Sequence, residues 1–306
     1  MKKQILSLIL CICSAICFGQ DDEQLTKLIE EGIALHDQRR YSEAIDKYME
    51  AYKINTKSAL VNYELSLSYM YQGDYENVIK HSNLVIESGE KDFLPLAYNA
   101  LGSALDNVGR VEESIEVFEK ALKEFGDNYL IYYNLALNYF NIKDYLNSRK
   151  MALKGLDINP SHSSSNLILA YSMQNLGKSV ETILGFDFFL FLEGETQRSR
   201  DVFGNLLYET SKNVKKDADN ENKINITLNG KDDDFSAANL ILALSEAARH
   251  TENKKDKTEY ELFYDKTSLF FSTLTILEKN AENEADIWWN FYIPFFKELK
   301  DSGHLD

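Results

Sequence analysis

Large and small apolar residues follow each other with the period of an amphipathic helix, and the same arrangement returns every 34 residues along much of the chain. The repetition is clearest between Pro95 and Pro160, where it occurs twice. The matching residues are Tyr98, Leu101, Gly102 and Leu105 in one copy and Tyr132, Leu135, Ala136 and Tyr139 in the next. Each copy predicts two antiparallel helices, A and B, whose apolar faces pack on each other.

Five copies of the pattern can be read along the chain. They cover residues 25–58, 59–92, 95–128, 129–162 and 163–196, and the spacing departs from 34 only where Gly89 to Pro95 lengthens one turn by two residues. A small residue recurs at the eighth position of each copy, as Gly32, Ser66, Gly102, Ala136 and Ala170. A small side chain there lets helix B approach helix A closely. Because one copy cannot bury its apolar face alone, neighbouring copies are expected to stack.

The copies resemble tetratricopeptide repeats, whose signature is W-x2-L-G-x2-Y, then A-x3-F, then P. Tyr98 and Tyr132 stand at the leading aromatic position, and Pro160 matches the final proline. Other copies depart from the signature at the proline or at the helix B alanine, where the chain has Thr56, Glu90, Gly126, Gly194, Val78, Ser114 and Ser148. The resemblance implies an all-α fold, a right-handed tetratricopeptide-repeat (TPR) α-solenoid of about five helix-turn-helix repeats with a helical C-terminal region.

The resemblance also implies a concave surface, lined by residues of each helix A, that binds a protein or a peptide. The residues expected to contact such a partner are Tyr63, Leu67, Met70, Tyr71, Asn99, Asp106, Asn107, Tyr133, Phe140, Asn141, Tyr171, Gln174 and Asn175. Amide side chains can hydrogen-bond the main chain of an extended peptide, and tyrosine supplies rigid contact area. The alternative is that the aromatic side chains pack against neighbouring repeats or the C-terminal helices. Ile29 and Ile33 stand where chaperone-binding members carry a carboxylate clamp, so that function is not implied.

Residues 1–19 have the pattern of a secretory signal peptide. Lys2 and Lys3 precede an apolar run from Ile5 to Phe18, and cleavage is expected after Gly19. The run is shorter than the roughly 20 residues that a spanning helix needs, and no later stretch is long and apolar enough. We therefore expect an exported protein of the bacterial type, located in the periplasm or the cell envelope, with no transmembrane segment in the mature chain.

All three cysteines of the chain, Cys11, Cys13 and Cys17, lie within the predicted signal peptide. The mature chain is therefore expected to have no disulfide and no cysteine chemistry. An alternative is lipidation of Cys17 in a lipoprotein, but Ile16 stands where a lipoprotein signal has a small residue.

The chain is strongly acidic. Its formal net charge is −16, and loss of Lys2 and Lys3 with the signal peptide makes it −18. Such a surface repels phosphate backbones and anionic lipids, so nucleic acid is not expected among the partners.

Residues 197–306 predict a helical C-terminal region with a polar loop at 217–234. A first helix is expected from Gln197 to Lys216, with Val202, Phe203, Leu206 and Leu207 on one stripe, and the alternation at 224–228 allows a short strand. Further helices are expected over Phe235 to His250, Thr258 to Ala281 and Asp286 to Ser302.

The most apolar window of the mature chain runs from Trp288 to Phe296. Pro294 is expected to kink or restart the helix there, and Gly303 to cap it, with Leu305 folding back. We expect this window to cover the apolar residues Phe186 to Leu192 of the last repeat, since the end of a stack of repeats must be capped. The alternative is an exposed docking or membrane-touching surface.

The sequence carries no recognisable catalytic motif. Its five histidines are scattered, and it contains no phosphate loop, dinucleotide fingerprint or G-x-S-x-G. Asp217, Asp219 and Glu221 resemble the start of a calcium loop, but Asn222 and Leu228 stand where glycine and glutamate are needed. No cofactor and no metal are predicted.

The preferred interpretation is a non-catalytic interaction scaffold. An outer-envelope assembly factor or lipoprotein is the alternative, and an enzyme or glycan-binding protein comes third.

Overall fold

The computed structural model describes residues 22–217, 223–228, 234–250, 257–277 and 286–303, most of which are α-helical. Each of the five predicted copies forms two consecutive helices joined by a tight turn, so the expected all-α architecture of helix pairs is confirmed. The pairs are α1 (residues 22–37) with α2 (Tyr41–Ile54), α3 (Ala59–Gln72) with α4 (Tyr75–Ser88), α5 (Leu94–Asn107) with α6 (Val111–Phe125), α7 (Tyr129–Asn141) with α8 (Tyr145–Ile158), and α9 (Ser163–Asn175) with α10 (Ser179–Glu193).

The C-terminal region is also mainly helical. Its elements are α11 (Gln197–Ser211), the strands β1 (Val214–Lys216) and β2 (Ile224–Ile226), α12 (Ser236–Arg249), α13 (Glu259–Ile276), a π-helical turn (Trp288–Tyr292) and α14 (Ile293–Asp301). The chain divides into two compact units, and the division falls within α7 between Asn134 and Leu135. Within the described residues, no helix combines the length and the apolar character needed to cross a lipid bilayer.

In the first unit, helices A and B touch at the small residue of position eight. A Cβ atom added to Gly102 would lie 2.5 Å from Cζ of Phe118 on α6, and one added to Gly32 would collide with the ring of Tyr48 on α2. Tyr48 and Phe118 are fully buried. Glycine is therefore required at both positions because a large aromatic ring from helix B fills the space.

Ser114 and Ser148 stand where the repeat signature has the alanine of helix B. Each of them hydrogen-bonds the residue at position eight of its helix A. The hydroxyl of Ser114 donates to the carbonyl oxygen of Gly102 at 2.7 Å in the first unit. The hydroxyl of Ser148 donates to the carbonyl oxygen of Ala136 at 2.7 Å in the second unit. These serines are buried, and a buried hydroxyl needs such a partner. The departure from the family signature is thus compensated by a hydrogen bond.

The turn after helix A has a left-handed residue at the same position of all five pairs. These residues are Arg39 (φ 60°), Gly73 (φ 76°), Gly109 (φ 81°), Lys143 (φ 64°) and Gly177 (φ 75°). They mark the end of helix A at the fifteenth position of each copy. The repeat register is therefore a property of the backbone as well as of the side chains.

The aromatic window near the C-terminus packs on the last repeat, as predicted. The ring of Phe188 on α10 lies 5.0 Å from that of Phe291, 5.4 Å from that of Tyr292 and 4.9 Å from that of Phe295. The hydroxyl of Tyr292 also hydrogen-bonds the side-chain oxygen of Asn166 on α9. The alternative of an exposed surface is wrong for Trp288, Trp289, Tyr292, Ile293 and Phe296, which are buried.

At Pro294 the predicted interruption takes the form of a change from π-helix to α-helix, and the helical backbone continues through it. Pro294 occupies one of the first two positions of α14, where its missing N–H group breaks no hydrogen bond. The preceding turn is π-helical, and the N–H group of Ile293 donates to the carbonyl oxygen of Trp288. Gly303 has φ 74° and its N–H group bonds the carbonyl oxygen of Lys300, which ends α14.

Two predicted helices are too long. The helix from Gln197 ends at Ser211 and not at Lys216, because Val214–Lys216 forms β1 and pairs antiparallel with β2, Val214 opposite Ile226. The short strand that the sequence allowed at residues 224–228 is therefore present as β2. Its partner strand β1 was not predicted from the sequence. The helix from Thr258 ends at Ile276, and Leu277 is extended. Residues 278–281 lie outside the described residues.

The predicted single stripe on α11 is also wrong. Val202 and Leu206 are buried, whereas Phe203 and Leu207 are 43% and 39% exposed. The apolar residues therefore belong to two adjacent faces of the helix, of which one is covered. The predicted signal peptide, its cysteines, Asp219, Glu221, Asn222 and Leu305 lie outside the described residues.

A carboxyl group with a buried oxygen atom interrupts the apolar core of the second unit, on a residue that is otherwise partly exposed. Asp187 lies on α10 between the buried residues Phe186 and Phe188, and its Oδ2 atom is buried without a hydrogen-bond partner. Burial raises the pKa of Asp187 to about 8. The carboxyl group is therefore mainly protonated near neutral pH, since the charged form would lose its hydration without gaining a partner.

The close contact at position eight yields a first prediction. Gly102→Ala should lower the free energy of unfolding by about 1–2 kcal/mol, because overpacking against Phe118 outweighs the helix propensity of alanine. Gly204→Ala on α11 should instead raise it by up to about 1 kcal/mol, because a Cβ atom there meets nothing within 4 Å. Chemical denaturation of the two variants measures both effects. Partial rescue of Gly102→Ala by Phe118→Leu would show that the ring is the cause, and equal effects of the two alanines would contradict the packing argument.

Asp187 yields a second prediction. A carboxyl group whose folded pKa exceeds its unfolded pKa stabilises the fold fully below the unfolded value, and this contribution is lost as pH rises through the folded value. The stability of the native chain should therefore fall between about pH 4 and pH 8, by at most about 6 kcal/mol. Asp187→Asn should remove this part of the pH dependence and raise stability most at pH 8. Denaturation at several pH values tests this, and an unchanged pH profile in Asp187→Asn would contradict a buried neutral acid.

Candidate partner-binding surface

The thirteen residues predicted to bind a partner all lie on the helix A of a pair, and none of them is buried. The exposed ones are Tyr71, Asn107, Asn141 and Asn175, and the others are partly exposed. In the first copy, by contrast, Ile29 occupies an equivalent position but is buried in the core with Leu28 and Leu65. The structure thus leaves the thirteen side chains accessible, which a binding surface requires.

In the first unit, an aromatic cluster joins the end of helix A of the first two repeats, at His36 and Tyr71, to the start of helix B of the first repeat, at Tyr41. The rings of Tyr41 and Tyr71 stack at 4.9 Å, and His36 meets both rings edge-on at 5.0 and 5.2 Å. Nδ1 of His36 lies 2.8 Å from Oγ of Ser68, and burial lowers the pKa of His36. Because Tyr71 is 60% exposed, the cluster presents a rigid aromatic face to a ligand.

A partly buried acid lies beside Tyr63 on α3. Glu64 accepts a hydrogen bond from the Tyr48 hydroxyl at 3.2 Å, and burial raises the pKa of Glu64. The Tyr63 ring lies 5.7 Å from that of Phe93, and burial raises the pKa of the Tyr63 hydroxyl, which stays neutral. Tyr63 is thus held in place by packing while part of its ring stays accessible.

The amide side chains use part of their hydrogen-bonding capacity locally. Nδ2 of Asn134 donates to Oδ1 of Asn99 at 3.0 Å, which connects α7 to α5. Nδ2 of Asn107 donates to the carbonyl oxygen of Ser103 at 2.8 Å, one turn earlier in the same helix. Since an amide has two donor hydrogens and a carbonyl oxygen, such bonds orient the group and do not saturate it. The row of amides is therefore compatible with peptide recognition.

In the second unit, α11 engages part of the predicted surface. The ring of Tyr171 contacts Phe186 at 5.2 Å, and its hydroxyl accepts a hydrogen bond from Nδ2 of Asn205 at 3.2 Å. Nε2 of Gln174 donates to Glu209 at 3.2 Å. Tyr171 and Gln174 therefore hold α11 against α9, as the packing alternative for the aromatic side chains anticipated, and both stay partly exposed.

The described residues show little that could support metal chemistry or acid–base chemistry. No three of their His, Cys, Asp or Glu side chains are grouped so that they could hold a metal ion. His81 is buried, hydrogen-bonds Oδ1 of Asn62 through Nδ1 at 2.8 Å and stacks on Tyr69. Burial lowers the pKa of His81 to about 4, so the ring is neutral and belongs to the packing of α3 on α4.

The repeat geometry agrees with comparison to a known family. The family model of the tetratricopeptide repeat matches residues 96–128 and 129–162, which are the two best-matched copies. The chain contains tetratricopeptide repeats. The expected TPR α-solenoid fold is thereby confirmed. No curated protein matches the sequence.

Solved structures similar to this TPR protein share its fold at low sequence identity. The crystal structure of PilW, a widely conserved type IV pilus biogenesis factor, has 15% identity and a TM-score of 0.52, with 61% of this chain and 91% of that chain covered. Pseudomonas aeruginosa pilF has 17% identity and a TM-score of 0.51, covering 62% and 90%. MamA from Desulfovibrio magneticus RS-1, residues 41 to the end, has 16% identity and a TM-score of 0.51, covering 58% and 97%. These similarities concern the fold alone.

The helix α11 continues the register of the repeats, which the pattern of five copies did not predict. Nη1 of Arg198 donates to Oγ of Ser164 at 3.0 Å, and Asn205 bonds Tyr171, so that each pair joins residues 34 positions apart. Gly204 follows Ala170 by the same 34 positions and is thus the small residue of position eight. This glycine was the signal in the sequence that could have identified α11 as a sixth helix A.

Proposed function

We propose that this protein is a non-catalytic scaffold that binds a segment of another protein, as a peptide or a helix, on the helix A surface of its repeats. The observation that supports this most directly is the accessible aromatic cluster of His36, Tyr41 and Tyr71. The partly exposed Tyr63 and Asn99 lie on helices A of the same unit. Aromatic side chains provide binding energy at low entropic cost, and oriented amides recognise peptide main chains. The tetratricopeptide repeat is itself an architecture whose stacked helices form extended binding surfaces.

We further propose that the protein acts after export, in the periplasm or the cell envelope. The support is the sequence of residues 1–19, in which Lys2 and Lys3 precede the apolar run from Ile5 to Phe18. Mass spectrometry of the mature N-terminus tests this directly. A chain that begins at Gln20 fits export with cleavage after Gly19, a lipidated Cys17 fits the lipoprotein alternative, and an intact N-terminus in the cytoplasm would contradict both.

Binding to the helix A surface can be tested with two tyrosines of the first unit. Tyr63→Ala combined with Tyr133→Ala should weaken a partner obtained by crosslinking and co-purification at least tenfold, because truncated aromatic contacts commonly cost more than about 1 kcal/mol each. The measurement is titration calorimetry with the purified partner. Tyr52→Ala combined with Tyr75→Ala is the matched control, since these half-buried tyrosines lie on helices B of the same unit. Undiminished affinity in the Tyr63 and Tyr133 variant, with the fold intact by circular dichroism, would overturn the proposed surface.

A further inference from the structure

The burial pattern of α11 shows that this helix A has a neighbour on one side but not on the other. In α5, positions four, seven, eight and eleven of the repeat are buried, and these are Tyr98, Leu101, Gly102 and Leu105. The equivalent positions of α11 are all exposed, and these are Arg200, Phe203, Gly204 and Leu207. Positions three and ten are buried in both helices, as Ala97 and Ala104 in α5 and as Ser199 and Leu206 in α11.

The two sets of positions face different neighbours. Position eight receives helix B of the same repeat, as Phe118 on Gly102 shows. Positions three and ten face the preceding repeat, since in α1, the first helix of the series, the residues there are the exposed Lys27 and Ala34. Therefore the preceding repeat covers α11 on one face, whereas its helix B face stays largely exposed and, in the described part of the chain, meets α13 through the ring of Phe203. The next elements described after α11 are the short strands β1 and β2.

Gly204 is the feature that sets this face apart from an ordinary solvent-exposed helix surface. Glycine in a helix interior costs about 0.5–1 kcal/mol relative to alanine. At Gly32 and Gly102 the cost is offset by an aromatic ring that fills the space, but a Cβ atom at Gly204 would meet nothing within 4 Å. With about 100° of rotation per residue, Gly204 lies between Leu207 and Tyr208 on the helix circumference. The space above Gly204 can hold an aromatic ring, and no described residue fills it.

A cleft of about 460 Å³ adjoins this face. Phe203, Leu207 and Tyr208 line it from α11, and Leu262 and Phe263 line it from α13. Phe203 and Phe263 meet edge-on at 5.6 Å at one side of the cleft. The cleft is within the size range of ligand pockets, about 300–1,000 Å³, and it can accept large side chains.

The charged groups of the cleft already satisfy each other. The buried Lys266 donates to Glu246 at 2.8 Å and to Oγ1 of Thr210 at 3.0 Å. Arg249 pairs with Glu246 and with Glu259 at the rim. An ionic ligand would have to compete with these pairs, whereas apolar side chains can cover the exposed rings without breaking them. The cleft therefore favours an apolar occupant.

We propose that the helix B face of α11 and the adjoining cleft are a docking site for an amphipathic helix of another protein, which takes the place of a sixth helix B and seats an aromatic ring on Gly204. The helix pairs α1–α2 and α5–α6 supply the geometry, because in each an aromatic side chain of helix B occupies the space above a position-eight glycine. A second copy of the chain is the less favoured occupant, since two chains of net charge −16 repel each other. This site is separate from the helix A surface proposed above.

The proposal can be tested with a helix B taken from the chain itself. The probe is a fluorescein-labelled, stapled peptide with the sequence of α2, Tyr41–Ile54, whose Tyr48 fills the space above Gly32. Anisotropy titration with the full chain should show saturable binding, and Tyr48→Ala in the peptide should weaken it at least tenfold. Two substitutions in the full chain should weaken peptide binding to the same degree. Gly204→Gln fills the space that the ring of Tyr48 would occupy, and Leu207→Gln removes an apolar contact.

Leu240→Gln is the matched control, since Leu240 on α12 is 40% exposed, like Leu207, and does not line the cleft. It should leave peptide binding unchanged. Gly204→Gln should melt at or above the native temperature, because glutamine is a better helix former than glycine, so that lost binding cannot be attributed to unfolding. Undiminished binding in Gly204→Gln and Leu207→Gln, or no saturable binding of the α2 peptide, would overturn the proposal. Self-association of the native chain that Leu207→Gln abolishes in sedimentation would also overturn it, because the occupant would then be a second copy.

Discussion

The close approach of two helices at one small residue is the constraint on which each repeat depends. Where that residue is glycine, as at Gly32 and Gly102, a ring from helix B sits directly on the backbone of helix A. Such contact excludes water from the seam, and it leaves no room for adjustment because protein interiors are close-packed. The hydroxyls of Ser114 and Ser148, which bond the carbonyl oxygens of Gly102 and Ala136, add a directional contact at the same point. Position eight thus fixes both the distance and the register of the pair.

The fold could be predicted from the sequence because this constraint is local. Helices A and B of one copy are close in sequence, and their contact needs particular side-chain sizes, which recur every 34 residues and can be counted. The covering of Phe188 by the aromatic window of the C-terminus could be predicted as well, since the exposed end of a stack requires an apolar cover. In both cases a side-chain pattern implied a specific need for burial.

Other features could not be predicted because they depend on neighbours distant in sequence. The strand β1 exists because Val214–Lys216 pairs with β2, and without that pairing the same residues continue a helical pattern. The split of Val202 and Leu206 from Phe203 and Leu207 depends on which sides of α11 have neighbours, and periodicity does not reveal this. For the candidate surface, the sequence identified accessible residues of helix A, but the engagement of Tyr171 and Gln174 by α11 required the three-dimensional structure.

Each repeat therefore has two surfaces that could bind a partner, the exposed residues of helix A and the seam where helix A meets helix B. The thirteen candidate residues of helix A in copies two to five are at least partly exposed, whereas the equivalent Ile29 of the first copy is buried. Specificity for a partner can reside in these accessible residues, although Tyr171 and Gln174 also take part in packing. The seam positions themselves become a surface only where a helix lacks its neighbour, and α11 is such a helix. There Gly204 and Leu207 keep the pattern of a seam, although no helix B covers them in the part of the chain that the structure describes. Since an uncovered seam exposes apolar area and retains a glycine that costs helix stability, its persistence is most simply explained by an occupant that completes the repeat.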